Sequence, residues 1–74
     1  MNYQRKYNRA IGIAEYIAQG HGIKETKEEF GVSKDTIHRD LIFLANEGYG
    51  EELKRNQRLY VKAKKELQIR QRKA

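Results

Sequence analysis

The stretch GVSKDTIHRDLIFL, residues 31–44, decides how the rest of this chain is read. Ile37, Leu41 and Leu44 recur at i, i+4 and i+7, so a helix beginning at Lys34 carries all three on one inward face. Because successive residues turn by about 100°, the same helix sends Asp35, His38, Arg39 and Ile42 to the other side. Just upstream, Ser33 has the side-chain oxygen that caps the free amides of a new helix. Gly31 can take the positive φ of a sharp turn, and Val32 offers one buried contact.

Working upstream, residues 23–30 form a short helical segment with Ile23, Thr26, Lys27 and Phe30 on one side and Lys24, Glu25, Glu28 and Glu29 mostly outside. Before it, GHG at 20–22 breaks the chain, with Gly20 placed to end a helix in the left-handed conformation. That first helix spans about 3–19, where Tyr7, Ala10, Ile11, Ala14, Ile17 and Ala18 make one stripe and Ile13 and Tyr16 widen it. Downstream, ANEGYGEE at 45–52 marks the next break, and a last helix starts near Glu51. There Leu53, Tyr60 and Leu67 fall seven apart, with Asn56 and Arg70 at polar seam positions. With no proline and no strand alternation, the class is all-α: a three-helix helix-turn-helix core over 1–50, then a basic helix and tail over 51–74 of the same domain.

Two short helices joined through Gly-Val-Ser fit the helix-turn-helix, whose first helix braces the second across the major groove of DNA. By that geometry Lys34, Asp35, His38 and Arg39 are the base or phosphate candidates, with Ser33 and Thr36 near the backbone. The segment FGVSKDTIHRDL, residues 30–41, resembles the core of the sporulation stage III protein D family. AEYIAQ in the first helix and the basic helical end extend the likeness. The resemblance implies a small DNA-binding regulator of the mother cell in endospore-forming bacteria. Asp35 stands where that family usually has serine, and Ile37 and Arg39 where it has valine and lysine. Lys27 occupies a position where such motifs place a small alanine facing the second helix, so its stem is expected to snorkel past the packing surface.

The charge of +6 is unevenly spread. Residues 1–50 hold seven basic and seven acidic side chains, whereas 51–74 hold nine against three. A reading head with no net charge has little non-specific affinity, since phosphate contacts supply much of the binding free energy. The expectation is that Lys54, Arg55, Arg58, Lys62, Lys64, Lys65, Arg70, Arg72 and Lys73 neutralise the DNA backbone. RQRKA, 70–74, is expected to reach a minor groove as an arm, and removal of 62–74 to weaken all sites alike.

Other classes are set aside by composition. No apolar run approaches the roughly 20 residues that span a bilayer, and no export signal is read. With no cysteine, thiolate ligands are excluded, and His21 and His38 alone make no credible metal site. His21, between two glycines, reads as a solvated turn residue. Nothing resembles a phosphate loop or an activated nucleophile, so neither an enzyme nor a cofactor or small-molecule ligand is expected. A cytoplasmic, nucleoid-associated protein binding double-stranded DNA as a monomer or weak dimer is the reading. The competing readings are binding of structured RNA, or an adaptor for another protein through Leu53, Tyr60 and Leu67. For a wing after the helix-turn-helix, 51–74 shows no hairpin pattern. Tyr49 and Tyr60 have the rings to stack on bases, but packing is the commoner fate of an isolated tyrosine.

Overall fold

Apolar residues spaced by three and four, with two glycine breaks, divide the first 46 residues into three helices. In a computed structural model these are α1 (Tyr3–Ala18), α2 (Ile23–Phe30) and α3 (Lys34–Asn46), followed by α4 (Gly50–Lys73). The structure describes the backbone of residues 3–46 and 50–73 and the side chains of 3–46 and 54–69. Among the described residues there is no strand, so the chain is all-α. Tyr49 and the side chains of Leu53, Arg70, Arg72 and Lys73 lie outside the described residues.

Local chemistry sets each boundary. Gly20 has φ 109°, and Gly31 sits at φ 63°, ψ 39°, a left-handed conformation that costs a side-chain-bearing residue more than glycine. The N–H groups of both Gly31 and Val32 donate to the carbonyl of Lys27, closing α2. Ser33 then caps α3: its Oγ accepts from the Thr36 N–H at 3.2 Å. Asp35 lies in the first turn of α3, where a carboxylate suits the positive end of the helix dipole.

The core is built by α1, α3 and α4. Ala10, Ile13, Ala14 and Ile17 from α1 meet Ile37, Leu41 and Leu44 from α3 and Ala63 and Leu67 from α4. Each large apolar side chain so buried contributes roughly 1.5–3 kcal/mol. Phe30 of α2 packs against this cluster over Gly12, where an added Cβ would meet the ring at 3.2 Å.

One expectation is corrected here. Lys27 is exposed and does not snorkel along a packing surface; Thr26 is the residue of α2 that is fully buried. Its hydroxyl donates to the Gly22 carbonyl at 2.8 Å, so a small polar side chain fills that position without an unmet hydrogen bond. The backbone of α4 continues as helix to Lys73, so the basic helix expected from the sequence runs into the RQRK segment. Residues 51–74 contain no glycine or proline, so nothing in the sequence interrupts the helical hydrogen bonding.

Candidate nucleic-acid interface

The outer ridge of α3 carries the side chains singled out from the sequence. Lys34, Asp35, His38 and Arg39 are all exposed, while Ile37, Leu41 and Leu44 on the opposite face are buried. Ile42 shares the ridge at 56% exposure, an unusual fraction for an isoleucine on a packed helix. Helical arithmetic puts it on the outer side, and its exposure adds it to the ridge. Such an apolar tip is the chemistry that contacts a thymine methyl group.

The ridge is flanked by two grooves, and these separate His38 from Arg39. On one side, Arg39, Thr36 and Ser33 line a groove of about 660 Å³ together with Lys6 and Arg9 of α1. On the other, His38 and Ile42 line a groove of about 250 Å³ with Tyr60, Lys64 and Gln68 of α4. Each groove has a lysine near an aromatic ring. The Lys6 ammonium is 4.7 Å from the centroid of Phe43, and that of Lys64 is 5.6 Å from the centroid of Tyr60. Cation–π contacts of this kind are worth about 0.5–1 kcal/mol at exposed sites, and they limit where the ammonium sits.

Behind the ridge, Asp40 is 1% exposed and points at α1. Both its oxygens accept from Arg9, Nε at 2.7 Å and Nη2 at 3.1 Å. This carboxylate holds the Arg9 guanidinium above its already high ordinary pKa, first through the hydrogen bond, against the opposing effect of burial. Neither Lys6 nor Arg9 was expected from the sequence to belong here. A helical count puts both on one flank of α1, but which neighbour that flank meets is a tertiary fact.

The charge of the head is segregated rather than absent. Glu25, Glu28 and Glu29 are exposed on α2, away from Lys6, Arg9 and Arg39. Tyr16 senses that acidic side: its phenol is raised above the usual value by desolvation, then by Glu29, Glu25 and Glu28. His21 is also more occupied than a solvated turn residue, stacking on the Tyr16 ring at 3.8 Å with Nδ1 2.8 Å from Glu25 Oε2. The formal neutrality of residues 1–50 thus conceals a cationic groove beside α3, which none of the α2 glutamates lines.

The cations of α4 divide by face. Lys64 joins His38 beside the ridge, whereas Arg55, Arg58 and Lys62 line a groove with Glu15 of α1, between the other two core helices. Arg55 and Glu15 approach to 3.7 Å, both exposed, a pairing worth little in water. Lys54 and Lys65 are exposed and, by helical count, lie opposite the buried Ala63. The seam residues face inward: Asn56, Ala63 and Leu67 are buried in the chain's own fold, and Tyr60 packs on the core. Tyr60 is half-buried, and it and Leu67 also line the groove beside His38. Among the described residues no group of three or more His, Cys, Asp or Glu is arranged to hold a metal ion. Among the same residues, no helix is long and apolar enough to cross a membrane.

No curated protein and no solved structure gives a match to this chain. The family described as stage III sporulation protein D, by contrast, matches it from residue 2 to residue 74. That span takes in the α2–Gly31–α3 unit, the Arg9–Asp40 brace and the whole of α4, so the likeness is to the complete four-helix chain and not to one motif. The chain belongs to the stage III sporulation protein D family.

Proposed function

We propose that this protein is a sequence-specific DNA-binding regulator of transcription in sporulation, acting on genes of the mother cell. The observation that carries the reading is the α3 ridge: polar side chains and Ile42 exposed on one face, with the other face fixed in the core behind a left-handed glycine turn. A helix held in this way can enter a major groove with its orientation set before binding. Asp35, His38, Arg39 and Ile42 face the base edges, Asp35 as an acceptor for a cytosine amino group. Ser33, Lys34 and Thr36 lie at the amino end of α3, near the backbone, and Lys64 lies on the opposite flank. Because Asn56, Ala63 and Leu67 serve the chain's own core, one copy binds without a helical seam to a second.

On this reading the chain is a binding module without catalysis, cofactor or small-molecule ligand, and its place is the cytoplasm, on the nucleoid. The test is selection of duplex sites from a random pool, followed by competition of the selected duplex against random duplex and structured RNA at fixed salt. A recovered motif bound about 10³-fold or more above random DNA is expected. Equal binding to RNA and both duplexes would mean that charge alone is recognised.

A further inference from the structure

Three cations from two helices converge on one groove, and two of them lie on α1, outside the face assigned to base recognition. Lys6 and Arg9 of α1 and Arg39 of α3 rim it, with the hydroxyls of Ser33 and Thr36 between them. The one carboxylate among its lining residues is Asp40, and both of its oxygens are engaged by Arg9. We propose that this groove seats a phosphodiester group of the DNA backbone, held chiefly by Lys6, Arg9 and Thr36. The inference rests on the DNA-binding reading above and adds to it an anchor on α1, outside the helix-turn-helix and outside the basic end.

The donors are set in place before any anion arrives. Arg9 spends two of its five N–H donors on Asp40, which orients the guanidinium, while 29% of its side chain stays exposed along the groove. The Lys6 ammonium is kept over Phe43 at the groove's edge. Thr36 Oγ1 is 3.1 Å from Ser33 Oγ, so that hydroxyl is steered as well. Prior ordering of this kind removes part of the entropy that long basic side chains otherwise lose on binding. Three cations against one carboxylate also leave the groove positive, although residues 1–50 sum to zero. The groove runs along the flank of the same ridge, so a duplex engaged by α3 brings the phosphates of one strand over it.

The test is Lys6→Gln in the full chain, with Lys27→Gln as its match in charge on the outer face of α2. Wild-type protein should show a linear fall of log affinity with log salt, on selected and random duplex alike. Lys6→Gln should reduce that slope by about 0.9, the loss of one phosphate contact, equally on both duplexes and with the preferred site unchanged. Lys6→Arg should restore it, and Lys27→Gln should leave it as in wild type. A wild-type slope in Lys6→Gln, or an equal reduction in Lys27→Gln, overturns the seat. Wild-type protein that binds no duplex at all overturns the DNA reading instead, so the two failures are distinguishable. Thermal unfolding of each variant checks that folding is retained. If Lys6→Gln unfolds, affinity is read from Thr36→Val, which should weaken both duplexes alike with an unchanged slope; undiminished affinity there also overturns the seat.

Discussion

Arg9 and Asp40 lie 31 positions apart and form a two-bond fork that fastens α1 to the back of α3. The carboxylate is almost wholly enclosed and the guanidinium partly so. Removing one partner of such a pair is therefore much worse than removing both. Arg9→Ala should destabilise the fold by about 3 kcal/mol, because it leaves a buried carboxylate without its counter-charge. In a domain of this size the total is only about 4–11 kcal/mol, so the loss is large. The double replacement Arg9→Met with Asp40→Leu should recover most of it. Urea unfolding of the single and double variants reads the difference, and a double variant no better than Arg9→Ala alone would show that the pair contributes more than mutual neutralisation.

Tyr16 should add to the loss of stability at alkaline pH. Its phenol titrates above the ordinary 10.0 because desolvation and then Glu29, Glu25 and Glu28 oppose the anion. An acid whose pKa is raised on folding keeps its proton in the native state after the unfolded chain has lost it. Tyr16 is neutral in both states at neutral pH, and its contribution falls away only as pH climbs through and beyond that ordinary value. Tyr16→Phe should flatten the decline of melting temperature between roughly pH 9 and pH 11. An unchanged alkaline decline in the variant would assign that loss to other groups.

Much of this architecture is legible in the sequence, and the reasons are local. The start of α3 at Lys34 follows from Ser33 as a cap, and the span Ile23–Phe30 follows from its flanking glycines. The division of α3 into a buried and an exposed face follows from spacing alone. What is not legible is which flank of one helix meets which flank of another. Lys6 and Arg9 join the α3 groove, and Asn56 donates to the Tyr7 hydroxyl at 2.8 Å across 49 positions, only because α1 packs against both α3 and α4. Asn56, polar at a seam position, reads as a weakness in a coiled coil. In the folded chain it is a buried hydrogen-bonding residue. A sum of charges fails for the same reason: it does not know that α2 turns its glutamates away from the groove.

Ile42 supplies a prediction about sequence preference under the proposed DNA reading. More than half exposed on the ridge between the two grooves, it contributes little to the core. Ile42→Ala should leave unfolding within about 0.5 kcal/mol of wild type, as expected for a surface site. In repeated selection it should lose its preference for thymine over cytosine at one position, with the other positions unaltered. Selection logos that coincide with wild type would remove Ile42 from base contact.

The segregation of cations on α4 leads to the last prediction. Lys64 stands beside His38 on the ridge flank, while Arg55 and Lys62 face Glu15 across the groove between α1 and α4. A duplex engaged by the ridge can meet the first but is shielded by the body of the domain from the others. Lys64→Gln should therefore lower the salt slope of DNA binding by about 0.9, and Arg55→Gln with Lys62→Gln should change it by much less despite the larger loss of charge. Removing residues 62–74 does not isolate the basic end, since it also takes away the core residues Ala63 and Leu67. Truncation after Ile69 spares both. If the terminal cations reach the backbone, that shorter deletion should weaken selected and random duplexes by the same factor and leave the melting temperature close to that of the full chain. A deletion that lowers affinity only for the selected site would instead assign the end of α4 a role in reading sequence.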